Sequence, residues 1–111
     1  MAFQEKQLGQ SQLTGSGTQD TVYTAPASTT AIIRDIQIAN VNATAKRVKV
    51  WLVSSGGSPD DTNIIIPNMT IDGNDIIHWS GFQVLTAGDT IQAEASAASS
   101  ICITVSGAEV S

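Results

Sequence analysis

The chain has 111 residues, one domain's worth, and its charge is sparse and acidic: charged residues make up 14% and the formal net charge is −5. Its five Lys and Arg are too few to release counterions from a phosphate backbone, so nucleic acid is excluded as a partner. The single Cys102 excludes an intrachain disulfide, one Cys and one His78 cannot complete a tetrahedral zinc site, and no apolar run approaches the ~20 residues of a membrane span.

Residues 1–20 read as a polar arm. They are rich in Gln and Gly, include Thr14-Gly15-Ser16-Gly17-Thr18, and hold few apolar anchors: Phe3, Leu8 and Leu13. Such a segment buries too little apolar area to offset an ordering cost of ~1–2 kcal/mol per residue. It is expected to be mobile or held by something outside the domain, although residues 7–13 have the composition of an edge strand. The start of the chain lacks a basic region followed by an apolar one, so no secretory leader is expected.

Residues 21–111 read as a β-sandwich domain. Ile32, Ile36 and Ile38 share one face of residues 31–40, interrupted by Arg34; Val48, Val50 and Leu52 share a face of residues 47–53. Ile91, Ala93 and Ala95, then Ile101, Ile103 and Val105, alternate with polar neighbours. This period of two, rich in β-branched residues, predicts half-buried antiparallel strands. Turn chemistry separates them at Ala25-Pro26-Ala27, in residues 55–61, at Pro67-Asn68, in residues 72–75 and at Ala87-Gly88-Asp89. No window has convincing helical spacing. The prediction is all-β: an antiparallel two-sheet sandwich of jelly-roll type with an extended N-terminal arm.

The inward set is modest, so the core is expected to be thin. Meanwhile Ile33, Trp51 and Val53 fall on the opposite faces of their strands. Either those faces meet the second sheet, or they form a contact patch with another subunit. The second reading assigns the interface to Phe3, Leu8, Leu13, Ile33, Trp51 and Val53.

Chemistry is sparse. His78 and Cys102 both fall in strand-like runs, no Gly-x-Ser-x-Gly elbow is present, and Ser54-Ser55-Gly56-Gly57-Ser58 lacks the Lys and helix of a P-loop. Asp60, Asp61, Asp72, Asn74 and Asp75 are hard oxygen donors suited to calcium, but turns need the same residues and the EF-hand spacing is missing. No catalytic residue, metal or cofactor is assigned. Trp51, Trp79, Tyr23 and Phe82 are the residues that would build a sugar-stacking platform if they converged, which makes carbohydrate or receptor binding the rival function.

Several segments in order resemble a known family: Leu8-Gly9-Gln10-Ser11; Val22-Tyr23-Thr24-Ala25-Pro26 continuing to Thr29-Thr30-Ala31-Ile32; Leu85-Thr86-Ala87-Gly88-Asp89; and Ser106-Gly107-Ala108-Glu109-Val110. Together they are similar to small virion structural proteins of tailed bacteriophages. The resemblance implies a β-sandwich on the particle as a capsid decoration protein, or a neck or tail accessory module, with no catalytic residues. The expected partners are sister copies in a small oligomer, a trimer, and the major capsid protein or other virion proteins. The expected location is the virion, after synthesis in the host cytoplasm.

Overall fold

The computed structural model describes residues 3–111 as eight β-strands with no helix. They are β1 (Phe3–Gln12), β2 (Asp20–Thr24), β3 (Thr30–Asn40), β4 (Lys46–Val53), β5 (Ile64–Ile71), β6 (Ile76–Leu85), β7 (Thr90–Ala95) and β8 (Ile101–Val110). Sheet A has the order β1-β8-β3-β6 and sheet B the order β2-β7-β4-β5, all pairs antiparallel. First pairs with last, second with seventh, third with sixth and fourth with fifth. That is one long hairpin rolled into two facing sheets, the jelly-roll arrangement the alternating pattern predicts.

The core is one cluster between the sheets, and it is fuller than the sequence suggests. Leu13, Ile33, Ile36, Ile38, Ile71, Leu85, Ile91, Ile101 and Ile103 are all fully buried. Each such side chain contributes about 1.5–3 kcal/mol of transfer free energy. The thin-core expectation fails because it counts only strands with clean alternation. It omits Leu13, Ile33, Ile71 and Leu85, whose burial depends on bulges and on where turns end.

The bulge in β3 is the most consequential. Its register slips between Ile33 and Asp35 against both β8 and β6. The extra residue, Arg34, reverses the strand's parity, so Ala31 and Ile33 face inward before it and Ile36 and Ile38 after it. The backbones approach closely here: a Cβ on Gly107, the partner of Ile33, would lie 1.9 Å from the carbonyl oxygen of Ile32. Only glycine fits.

Two other expectations change. Pro67-Asn68 does not separate strands; it lies inside β5, with Asn68 at a φ of 42°, as an irregularity tolerated on a sheet edge. The arm assigned to residues 1–20 is a strand for much of its length. Residues 1 and 2 lie outside the described residues, but β1 pairs with β8 from Phe3 to Gln12, and Leu13 enters the core at 1% exposure. Backbone pairing supplies what its polar side chains do not. Deleting residues 1–17 would therefore uncover β8 and open the core, so it does not isolate an arm from a sandwich.

Candidate functional site

Side chains on the outer face of sheet A line up across all four strands. Glu5 of β1 pairs with Ala108 of β8, Ala108 with Ile32 of β3, and Ile32 with Val84 of β6. In the adjoining row Phe3 pairs with Val110, and Phe82 lies two residues from Val84 on the same face of β6. One end of this face thus carries apolar residues on all four strands, with Glu5 on β1 and Arg34 at the β3 bulge among them. Phe3, Phe82 and Val84 are 64%, 61% and 45% exposed. On the β1 side a shallow groove of about 470 Å³ is floored by Ile32 and Ala108 and rimmed by Phe3, Glu5, Lys6, Arg34 and Ser106; Phe82 and Val84 stand outside it. The other end of the face is polar, with Gln37, His78, Ser80 and Thr104.

Of the six residues assigned to an interface, only Phe3 lies on this surface. Leu8 sits at the β1 register shift, half-buried against the core. Leu13 and Ile33 are inside the sandwich and cannot contact a partner, Ile33 because the Arg34 bulge turns it inward. Trp51 and Val53 do lie on the outer face of β4, opposite the side on which Val48, Val50 and Leu52 meet Ala95, Ala93 and Ile91. They are nevertheless 6% and 1% exposed, covered by the chain itself. The loop of residues 54–63 returns over this face; a Cβ on Gly57 would sit 3.5 Å from Val53 Cγ1. The loop is held by Gly57 N–H to Ser54 O (2.8 Å), Asn63 Nδ2 to Ser58 O (3.0 Å) and Thr62 N–H to Asp60 Oδ1 (2.8 Å). Sequence reasoning missed Ile32, Phe82, Val84, Ala108 and Val110. Exposed apolar residues on β6 were the available signal.

A polar clip fastens the sandwich beside the groove. Tyr23 of β2 donates its hydroxyl to Glu109 of β8 at 2.6 Å, and Lys6 Nζ of β1 reaches the other oxygen at 3.0 Å. Glu109 points inward, opposite Ala31, so the clip ties sheet B to sheet A. These donors, Tyr23 first and then Lys6, hold the Glu109 carboxyl below the usual range. Burial, and then the hydrogen bond and charge of Glu109, push the Tyr23 phenol well above its ordinary value. On the outer face, His78 Nε2 contacts the Asp35 carboxylate. Both are well exposed, and among the described residues no hydroxyl or thiol hydrogen-bonds to His78. Cys102 lies opposite Ala39 on the far side of β3, so it does not meet His78.

The acidic loop residues are occupied in local turns. Asp89 accepts from the backbone N–H groups of Thr86 and Ser55; these bonds hold its pKa low although burial alone pushes it up. Thr62 does the same for Asp60 through its hydroxyl and N–H. Asp60–Asp61 and Asp72–Asp75 lie in separate turns, and no cluster of three or more metal-ligating side chains occurs among the described residues. The four aromatic residues do not converge. Trp51 is buried on sheet B, Tyr23 is 8% exposed, Trp79 packs inward against the core, and Phe82 stands on sheet A.

No known protein family and no curated protein sequence matches the chain. Among solved structures, a chain in the structure of infectious bursal disease virus, Gx strain, superposes over 97% of this one with a TM-score of 0.54 and 12% identity. The likeness is one of fold. This chain spans 31% of the length of that one. A chain from the Gt strain of the same virus matches over 96% of this chain at 10% identity with a TM-score of 0.35 and spans 31% there as well. At such identity no residue role transfers, and the apolar end of sheet A stands on this chain's own geometry.

Proposed function

We propose that the chain is a non-enzymatic structural module of a virus particle that binds neighbouring subunits through the apolar end of the outer face of sheet A. One observation carries the reading: one end of the outer face of sheet A exposes Phe3, Phe82 and Val84 on its two edge strands, on either side of Ile32 and Ala108, and no segment of residues 3–111 covers them. Monomeric proteins rarely leave such a patch open unless something docks there. The fold likeness to a chain of infectious bursal disease virus supports a virion setting. The order of motifs shared with small phage virion proteins supports a more specific one, a decoration protein bound to the major capsid lattice. The many copies on a lattice would add avidity to modest single contacts. The carbohydrate reading has no platform to rest on, because two of its four aromatic residues are buried and a third faces inward.

Co-sedimentation of the purified chain with particles of the virus that encodes it tests the proposal. The wild-type chain is expected to sediment with particles. Phe3→Asp, which places a charge on the rim of the groove without touching the core, is expected to weaken binding about tenfold or more. Absence of the chain from purified particles, or undiminished binding by Phe3→Asp, would overturn it.

A further inference from the structure

The two sheets end in four edge strands: β1 and β6 in sheet A, β2 and β5 in sheet B. Each edge exposes backbone N–H and C=O groups able to pair with another strand, and soluble proteins blunt such edges with short length, charge, proline or bulges. Three of these edges are blunted. β2 has five residues and a register shift between Thr21 and Tyr23. β5 carries Pro67 and the positive-φ Asn68 at its middle, where its pairing with β4 slips. β1 carries Glu5, Lys6 and a register shift between Gln7 and Gly9. β6 differs: ten residues, Ile76–Leu85, without a charge or a proline. Its pairing with β3 is regular from Ile76 to Ser80, and its one irregularity lies opposite Arg34.

We propose that the β6 edge pairs antiparallel with the β6 edge of a second copy, joining the two A sheets across a two-fold axis. The outward-facing residues of β6 are Ile76, His78, Ser80, Phe82 and Val84: apolar at each end and polar in the middle. Ile76 is 51% exposed at the polar end of its own sheet. Antiparallel pairing with an identical strand, in the register that sets Ile76 opposite Phe82 of the copy, brings His78 opposite Ser80. β6 brings no carboxylate, lysine or arginine of its own to the contact, and Asp35 of β3, beside Ser80, is engaged by His78. The β6 edge thus escapes the repulsion that a net charge of −5 imposes on two copies elsewhere. An isologous contact satisfies both free edges at once. Beside it, an apolar groove of about 190 Å³ between β5 and β6, lined by Ile65, Met69, Ile77 and Trp79, lies where a neighbouring copy would cover it. The pairing is two-fold, where the sequence reading expects a trimer, and it does not depend on the virion assignment.

Sedimentation equilibrium on the full chain, with no particle present, reads the oligomer, and hydrogen–deuterium exchange locates the contact. A reversible dimer is expected, with the amides of residues 76–85 losing protection on dilution while those of β1, β2 and β5 do not. Ser80→Lys places like charges beside the two-fold and, separately, Phe82→Lys sets a charge against Ile76 of the copy; each is expected to raise the dimer Kd about tenfold or more. Circular dichroism checks that both variants remain folded. A chain that stays monomeric at millimolar concentration overturns the proposal. So does an oligomer whose dilution-sensitive amides lie outside β6, or one unaffected by either lysine. Phe3, on the opposite edge strand, is untouched here, so this test and the particle-binding test fail separately.

Discussion

The outer faces of the two sheets solve one problem in opposite ways. Both carry large apolar residues: Trp51 and Val53 on sheet B, and Phe3, Ile32, Phe82 and Val84 on sheet A. On sheet B the chain covers them, with the hydrogen-bonded loop of residues 54–63 closing over Val53. On sheet A no segment of residues 3–111 returns, and Phe3, Phe82 and Val84 stay exposed. An apolar outer face therefore does not by itself mark an interface. What marks one is the absence of a covering segment, and that depends on where the loops go.

The sharpest way to break this contrast is to truncate one residue on each face. Trp51→Ala should destabilise the fold by about 3–5 kcal/mol, as removal of a buried aromatic does, with a corresponding drop in urea midpoint. If the loss is under about 1 kcal/mol, the loop cover on sheet B is cosmetic and the contrast collapses. An intermediate effect is expected where the sheets are clipped together. Tyr23→Phe should cost about 1–2 kcal/mol at neutral pH through loss of the hydrogen bond to Glu109.

The pH dependence of that variant sharpens the point. Glu109 is held below its ordinary value, so its contribution is complete above that value and is lost as pH falls through the lower folded pKa. Tyr23 is raised, so its contribution is complete below its ordinary value of about 10 and is lost as pH climbs beyond it. Tyr23→Phe should remove the alkaline loss and shrink the acidic one, with Lys6 still supporting Glu109; urea midpoints across pH read both. The smallest effect on stability belongs to the open face. Phe3→Asp should change unfolding free energy by no more than about 0.5 kcal/mol while reducing particle binding. A large destabilisation would mean that Phe3 serves the fold and not a partner.

Much of the architecture was legible in the residues. Strand positions 31–40, 47–53, 90–96 and 101–106 agree with β3, β4, β7 and β8, because period-two alternation is a local property of the chain. The turns at residues 72–75 and 87–89 were legible for the same reason: Asp, Asn and Gly accept the backbone angles those turns require. The candidate surface was not. Ile32 and Ile33 exchange sides at a single bulged residue, Arg34, and no pattern of side chains announces which residue of a strand will be left unpaired. β1 was legible only in part: the edge strand expected over residues 7–13 overlaps its second half, but its full length rests on backbone pairing to a strand that follows it by about ninety residues in sequence.

The order of residues alone determined that this protein is all-β and acidic; composition and short-range alternation carry that information. Tertiary structure alone decided which apolar residues are core, which are roofed by their own loop and which remain open. Those outcomes depend on register and on long-range strand order, where a shift of one residue moves a side chain through the sheet.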